Sequence, residues 1–466
     1  MFLEADFEYV LKKAEEAGAE YADLRYQEYY YENILVENRV LKSYSSRNFS
    51  GVGVRVFVDG MVGYSSTTSL SRDSFLKALD NAMKAAKALG CGEKIKFDFE
   101  SNRVEVKSNF LIDPANVSAE EKISLTLDAN KAAFFDDRIR NAITRLGFSK
   151  DSRLFMSTYG ARIKVETVMS GLGHESVARS YETMERVGYS DSRCAGFEFI
   201  RSGDWNTFAS DLSRLAIEAS ESKTPPAGTY PVIVDPDVIG LLLHEAFGHA
   251  SEGDLVSTQE SVLYGRVGEK IASDKVTIVD DGVIENGYFY PFDDEGTVKK
   301  RTVVVEDGVL RGFLHDILSS SKFGVEPTGN GRAQDFENLP IVRQTNYFML
   351  PRDYNFDELL EDIDYGIYVS GKGATGGQVD VGMGTFTFSV GPSKIIRGGR
   401  LAETVRGVVI SGLILDTLKT IDAVGKDLAI RTNVFGGCGK MGQTVRVGFG
   451  GPHVRVQKMT VGGRWL

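Results

Sequence analysis

Two histidines and a glutamate stand within six residues of one another in the segment LLLHEAFGHASEGD. His244 and His249 offer imidazole nitrogens, which suit zinc, and Glu245 adjoins the first of them. A carboxylate in that position can accept a proton from a water molecule whose pKa the ion has lowered. The pattern favours a zinc-dependent peptidase, with His244 and His249 as metal ligands and Glu245 as the catalytic base. Coincidence on a buried helix is the alternative.

The five-residue spacing of the two histidines does not suit a regular α-helix. Asp235 and Pro236 predict a helix that starts just before the motif, as its N-cap and first residue. At about 100° per residue, an α-helix would place the two imidazoles roughly 140° apart around its axis. We therefore expect the helix to bulge or to end between them, and Gly248 would make such a distortion cheap.

A catalytic zinc site takes three protein ligands, so a third must come from elsewhere in the chain. Cys438 in the segment FGGCGKMGQ is the predicted ligand, because its flanking glycines let the backbone approach an ion and a thiolate favours zinc. A buried structural cysteine is the alternative. The competing third ligands are Glu252, Asp254, Asp293, Asp294, Glu295, His315 and His453. The dipeptide His174-Glu175 and the cysteines Cys91 and Cys194 are interpreted as structural or surface residues.

The composition limits the classes of function. A chain of 466 residues with 42% apolar and 26% charged residues predicts a globular protein of two or three folding units. A net charge of -11 without long basic runs disfavours a nucleic-acid partner. The apolar runs are far shorter than the roughly 20 residues of a membrane span, and the acidic N-terminus does not resemble a signal peptide. Three widely separated cysteines favour a reducing compartment, and a cytoplasmic location is expected.

The N-terminal part of the chain is expected to contain two modules, each with the order helix, strands, helix. Helical spacing predicts a helix at residues 6–17, alternation then predicts about four antiparallel strands, and a second helix follows at 69–89. A helix that begins at Ser118, a set of strands and a helix at 204–222 repeat this order. Each module is thus predicted to combine helices with an antiparallel sheet.

The third part of the chain follows a linker. Residues 220–230 concentrate serine, proline and glycine, as segments between domains do. Many turn pairs after the motif helix predict a β-rich domain, with a further buried helix at 403–424. The predicted fold class is α+β, with an N-terminal α/β portion of two helix-and-antiparallel-sheet modules and a β-rich C-terminal catalytic domain that holds the motif helix. The predicted domains are residues 1–92, 93–222 and 228–466.

Several ordered segments resemble a known family. HEAFGHASEGD, DDEG, EPTGNGR, GGQVD and GCGKMGQ are similar to the motifs of the TldD branch of the TldD/PmbA family, and the resemblance spans nearly the whole chain. The family's H-E-x-x-x-H motif falls on His244, Glu245 and His249, and its C-terminal cysteine ligand falls on Cys438. Phe247 stands where a smaller apolar residue is usual, a departure that changes packing and not ligation.

The resemblance also implies a function and a partner. It implies a zinc metalloprotease (Zn²⁺) that acts on unfolded or short peptides in peptide maturation or degradation. It implies a dimer that encloses the active site, formed with itself or with a metal-free PmbA-like paralogue. The glycine-rich residues 371–384 are interpreted either as a strand edge that holds an extended peptide or as a mobile loop. Two alternatives stay open: a binding or regulatory subunit with a structural metal, and an amidase that acts on modified peptides.

Overall fold

The computed structural model of the chain describes residues 2–92, 95, 101–181 and 183–463. Seven strands form the N-terminal sheet: β1 (Tyr21–Glu37), β2 (Val40–Val58), β3 (Met61–Thr67), β4 (Arg103–Lys107), β5 (Ile139–Ser157), β6 (Arg162–Ser180) and β7 (Thr183–Arg193). Five α-helices accompany them: α1 (Phe2–Glu16), α2 (Arg72–Ala88), α3 (Ala119–Ala132), α4 (Phe197–Ser202) and α5 (Trp205–Glu221). A 3-10 helix covers Pro114–Asn116.

The two predicted modules share this one sheet. Its strand order is β3-β2-β1-β5-β6-β4, and β7 also pairs with β6. The long strand β1 of the first module pairs in antiparallel register with β5 of the second, from Asp23 opposite Ser157 to Glu37 opposite Ile143. Helices α1 and α2 pack on the first module's strands, and α3 and α5 pack on the second module's strands. The helix-and-sheet composition is confirmed, and the domain boundaries stay a prediction.

The C-terminal part is rich in short strands. These are β8 (Gly228–Val234), β9 (Ile278–Asp281), β10 (Thr302–Glu306), β11 (Val309–Leu310), β12 (Gly331–Arg332), β13 (Ile341–Val342), β14 (Asn346–Met349), β15 (Tyr365–Val369), β16 (Gly376–Asp380), β17 (Thr385–Ser389), β18 (Ser393–Arg397), β19 (Arg400–Val405), β20 (Val408–Leu413), β21 (Ile421–Val424), β22 (Ala429–Thr432), β23 (Cys438–Lys440), β24 (Gln443–Val445), β25 (Gly448–Gly451) and β26 (Val454–Gly463). The helices are α6 (Pro236–Leu242), a π-helix (Leu243–Gly248), a 3-10 helix (His249–Ser251), α7 (Gly253–Ser257), α8 (Ile317–Phe323), α9 (Phe356–Leu360) and α10 (Ile414–Lys419).

Two larger sheets support the motif helix. The nine-stranded sheet has the order β16-β17-β20-β26-β8-β15-β18-β19, with β21 also paired with β26. The six-stranded sheet has the order β11-β10-β9-β14-β25-β22, and β12-β13 and β23-β24 form two small hairpins. The largest apolar core joins strands of both sheets to the motif helix, where Leu242, Leu243 and Phe247 are fully buried. The α+β fold class is confirmed.

Two details of the predicted secondary structure are wrong. Residues 403–424 are expected to form a helix, but they contain the end of β19, then β20, the short α10 and β21. Gly407 has a φ of 63°, which turns the chain between β19 and β20 and which a helix does not allow. In the first module the expected four strands are three, because β1 and β2 are 17 and 19 residues long. Among the described residues, the helices are all too short or too polar to cross a membrane.

Candidate metal centre

The motif helix starts where the sequence predicts. Asp235 is its N-cap and accepts a hydrogen bond from the backbone N–H of Val238 at 2.8 Å, and Pro236 is the first helical residue. The helix follows β8 of the nine-stranded sheet directly. On its other side Gly240 touches β25 of the six-stranded sheet, where an added Cβ would lie 2.6 Å from the backbone of Gly450. Contacts with both sheets therefore fix the helix axis.

The helix widens into a π-helix at the two histidines. The π-helical residues are Leu243–Gly248, and the backbone N–H of His249 donates to the carbonyl of His244, five residues earlier. A wider turn returns a residue five positions on to nearly the same side of the helix. The two imidazole centres are accordingly 5.3 Å apart. The bulge expected between the histidines is confirmed.

Gly248 serves this turn for a reason that the sequence does not reveal. Its φ of -64° and ψ of -46° are ordinary helical values, so no special backbone freedom is used. An added Cβ would lie 2.3 Å from Oε1 of Gln344. The expectation that glycine makes the distortion cheap is therefore wrong in its cause, since the glycine instead makes room for a neighbouring amide.

Cys438 lies beside the two histidines. Its Sγ is 3.0 Å from Nε2 of His249, across 189 positions of sequence. One donor atom each from His244, His249 and Cys438 lie within 4.8 Å of one another. Cys438 begins the hairpin β23-β24. The structure thus brings together the three residues that the sequence singles out, and their role as ligands stays a prediction.

The competing third ligands lie outside this cluster. Each of them has another partner. Glu252 contacts His249, Asp254 contacts Lys440, Asp293 accepts the backbone N–H of Gly331, Asp294 pairs with Arg153, Glu295 pairs with Arg55, His315 contacts Ser319, and His453 pairs with Asp427.

The cysteine and the second histidine polarise one another. Burial alone would raise the pKa of the Cys438 thiol, but His244 and His249 lower it to about 5. Burial likewise opposes a charge on His249, yet Glu252 and Cys438 raise its pKa to about 10. The thiolate is the form of cysteine that binds metals. A metal cation would replace the shared proton, so metal binding is expected to release a proton.

His249 is oriented by a buried carboxylate. Its Nδ1 lies 2.9 Å from Oε2 of Glu252, which is fully buried and also accepts from Lys440 at 3.0 Å. Burial would raise the pKa of Glu252, but His249 and Lys440 lower it to about 2. A hydrogen bond from Nδ1 leaves Nε2, the atom beside Cys438, free to bind a metal, and such carboxylate–histidine pairs are typical of metal sites.

The surroundings of His244 are consistent with a bound metal ion. Its side chain is 3% exposed, and its Nδ1 has no hydrogen-bond partner among the described residues. An unpartnered buried nitrogen is costly, and a bound cation would reduce that cost. Two imidazoles and a thiolate form a donor set suited to zinc. Glu245 follows in the same turn, is partly exposed, and forms no hydrogen bond or ion pair within the described part of the chain.

The loop before Cys438 rests on the N-terminal sheet. Val434 and Phe435 cover Gly147 of β5 and Gly171 of β6, which pair with each other across the two strands. An added Cβ would lie 2.6 Å from the Phe435 ring at Gly147, and 2.9 Å from the Val434 side chain at Gly171. The two glycines form a shallow groove, and this groove helps to place the cysteine loop.

Gly147→Ala is expected to push Phe435 out of this groove. Overpacking of this kind costs about 1–3 kcal/mol, so in a chain of this length the midpoint of thermal unfolding should fall by about 1–3 °C. Gly173→Ala is the matched control, because its Cβ would lie at an ordinary 3.4 Å from the same ring. Calorimetry of the two variants compares them directly. Equal loss of stability in both would contradict the tight contact at Gly147.

Two of the residues interpreted as structural, His174 and Cys194, have structural surroundings, whereas Cys91 does not. His174 is buried in β6, between the hydroxyls of Thr144 and Ser176, each at 2.8 Å. Burial lowers the pKa of His174 to about 4, so it is neutral at physiological pH. Cys194 accepts a hydrogen bond from the backbone of Phe289, and Cys91 is exposed.

Sequence reasoning missed three side chains around the centre. Lys440 binds Glu252 and Asp254, Arg343 binds the carbonyl of Cys438, and Gln344 binds the carbonyl of His244. Lys440 stands two residues after the predicted ligand, a closeness that could have marked it. Arg343 and Gln344 lie in a short connection without a motif, so nothing in their local sequence marks them.

Comparison with known proteins places the chain in a family. Models of the PmbA/TldA metallopeptidase match domain 1 at residues 22–86, the central domain at 112–221 and the C-terminal domain at 227–463. A metalloprotease from Methanothermobacter thermautotrophicus is 35% identical, over 96% of each chain. A zinc metalloprotease TldD homolog from Saccharolobus solfataricus is 29% identical, over 98% of this chain and 99% of the other.

A solved structure shares the fold. The crystal structure of TldE from Thermococcus kodakarensis aligns with a TM-score of 0.82 at 20% identity, over 98% of this chain and 100% of the other. At that identity the likeness concerns the fold alone. The family models and the relatives above 30% identity establish more than the fold. The chain belongs to the TldD/PmbA family of metallopeptidases.

Proposed function

We propose that the protein is a zinc metallopeptidase of the TldD branch, with His244, His249 and Cys438 as ligands and Glu245 as the general base. The observation that carries the proposal is the convergence of these three donor atoms, together with a glutamate next to His244 in the chain that has no partner among the described residues. The names metalloprotease and zinc metalloprotease, borne by relatives, support it. Three protein ligands leave a fourth position open, as catalytic zinc sites do.

The proposed reaction is hydrolysis of a peptide bond. A zinc ion, when bound, supplies polarisation of the peptide carbonyl and lowers the pKa of water to about 7. Glu245 accepts a proton from the attacking water molecule as the water oxygen adds to the carbonyl carbon of the peptide. Glu245 then donates that proton to the leaving amine as the C–N bond breaks. The products are one peptide with a new carboxyl group and one with a new amino group. The partial exposure of Glu245 and its lack of a partner among the described residues suit this double role.

The proposed substrates are unfolded or short peptides with loose sequence preference. Strand β16, from the glycine-rich segment 371–384, forms one edge of the nine-stranded sheet and pairs with β17. It lies beside the π-helix that carries His244 and Glu245. An extended peptide added to this edge would be held by main-chain hydrogen bonds, which select little for side chains. Within residues 371–384, Gly376–Asp380 form this strand, and peptide binding at its edge is part of the proposal.

The assembly and location remain proposals of the same kind. We propose a dimer, formed with a second copy or with a metal-free PmbA-like paralogue, in the cytoplasm. The alternative of a binding or regulatory subunit with a structural metal requires a closed four-ligand site. Among the described residues, no fourth histidine, cysteine, aspartate or glutamate joins the cluster, which favours the open, catalytic arrangement.

Metal analysis combined with digestion of an unfolded peptide tests the proposed function. We expect zinc in equimolar amount with the purified chain, hydrolysis that a chelator abolishes, and recovery when zinc is added back. A chain that binds zinc but does not hydrolyse peptides, either alone or with proteins that co-purify from its native host, would favour the regulatory alternative. Hydrolysis that persists after complete removal of metal would contradict the mechanism.

A further inference from the structure

Two consecutive buried side chains link the two halves of the metal centre. Arg343 and Gln344 lie in the connection between β13 and β14, and their exposures are 0% and 1%. Neither belongs to the set of candidate ligands. One contacts the turn that holds the histidines, and the other contacts the hairpin that holds the cysteine.

Gln344 contacts the carbonyl that closes the π-helix. Its Nε2 donates to the backbone oxygen of His244 at 3.0 Å, and the same oxygen accepts the N–H of His249. Its Oε1 occupies the space where a side chain at position 248 would stand. Loss of this amide would leave the carbonyl with one partner fewer and open a space beside Gly248. Both changes favour relaxation towards a regular α-helix, in which the histidines diverge by roughly 140°.

Arg343 contacts both strands of the cysteine hairpin. Its Nη2 donates to the carbonyl of Cys438 at 2.6 Å, and its Nη1 donates to the carbonyl of Gln443 at 3.3 Å. The connection is itself anchored. Thr345 donates its backbone N–H and its hydroxyl to the buried carboxylate of Asp280, each at 2.8 Å. A rigid segment therefore touches both the histidine turn and the cysteine strand.

We infer that Arg343 and Gln344 are positioning residues, which set the distance between the histidine pair and Cys438 and thereby the affinity for the metal. The inference rests on the proposed metal site. Both side chains donate to backbone carbonyls of ligand residues, and among the described residues neither forms a hydrogen bond with a donor atom of the ligand set. Outer-shell partners that orient ligands contribute about 10- to 100-fold to metal affinity.

Gln344→Met tests this inference, because methionine has a similar length and flexibility but cannot donate a hydrogen bond. We expect the dissociation constant for Zn²⁺, measured by competition with a chelating dye, to rise by about 10- to 100-fold. The visible spectrum of the Co²⁺-loaded protein, which reports ligand geometry, should also change. Gln27→Met is the matched control: Gln27 is a buried glutamine that donates to Asp151 and accepts from Phe336 outside the centre.

The outcomes separate the inference from the proposed function. If the wild-type chain binds no zinc, the proposed metal site itself is contradicted. If the wild type binds zinc, an unchanged dissociation constant in Gln344→Met would overturn the inference, and so would an equal rise in Gln27→Met. If Gln344→Met does not fold, Gly248→Ala displaces the same amide from the opposite side and should raise the dissociation constant similarly. An unchanged constant in that variant would also overturn the inference.

Discussion

Glu245→Gln is expected to remove peptide hydrolysis and to leave bound zinc unchanged. The amide keeps the size of the side chain but cannot accept a proton from water, and general base catalysis contributes about 10²- to 10⁴-fold. We therefore expect kcat to fall by about that factor, while the ratio of zinc to protein stays at the wild-type value. Steady-state kinetics on an unfolded peptide, together with metal analysis of the same sample, measures both quantities.

The control for this variant is Glu285→Gln, an exposed glutamate outside the motif, which should retain full activity. Two results would change the assignment of Glu245. Full hydrolysis by Glu245→Gln would mean that another group takes the proton. Loss of zinc from Glu245→Gln would mean that the carboxylate helps to hold the metal.

Cys438→Ser is expected to have the largest effect on metal binding. The thiol of Cys438 has a pKa lowered to about 5 despite its burial, so it is a thiolate at physiological pH, whereas a serine hydroxyl stays protonated. We expect a loss of zinc affinity of at least about 100-fold, the upper end of what an outer-shell partner contributes. Equilibrium competition with a chelating dye gives the affinity of each protein.

Cys194→Ser is the matched control for the cysteine. Cys194 lies away from the cluster, and burial raises the pKa of its thiol to about 12, although a backbone hydrogen bond from Phe289 lowers it somewhat. It therefore stays a neutral thiol, and its replacement should leave zinc binding intact. An unchanged affinity in Cys438→Ser would reassign the third ligand, and a comparable loss in Cys194→Ser would point to general destabilisation.

The site residues that can be predicted are those whose signal lies in the neighbouring sequence. The five-residue spacing of His244 and His249 is incompatible with two ligands on a regular α-helix, and the π-helix resolves that conflict. Asp235 and Pro236 mark the helix start for similarly local reasons. Cys438 is more difficult, because its glycine-rich loop shows only that the backbone can approach something closely. Its thiolate chemistry and its glycine-rich loop make it the predicted third ligand, and the family resemblance adds its match to the C-terminal cysteine ligand.

The remaining features depend on contacts between distant parts of the chain. No local pattern tells that β1 pairs with β5 and joins two modules into one sheet. The apolar run around Gly407 fits a helix or strands equally well, and neighbouring strands decide between them. Gln344 takes its role from a carbonyl 100 positions away, so its own sequence surroundings carry no signal.

Strand β26 bears on when the proposed metal site can form during synthesis. It lies between β20 and β8 in the nine-stranded sheet, and β8 leads straight into the motif helix. Because β26 follows Cys438 in the chain, the ribosome makes it after every predicted ligand, while earlier parts of the chain already fold. The strand before the histidines therefore lacks this neighbour until the ligands have all been made. We expect nascent chains to hold zinc poorly and the metal to enter only after synthesis has passed this strand.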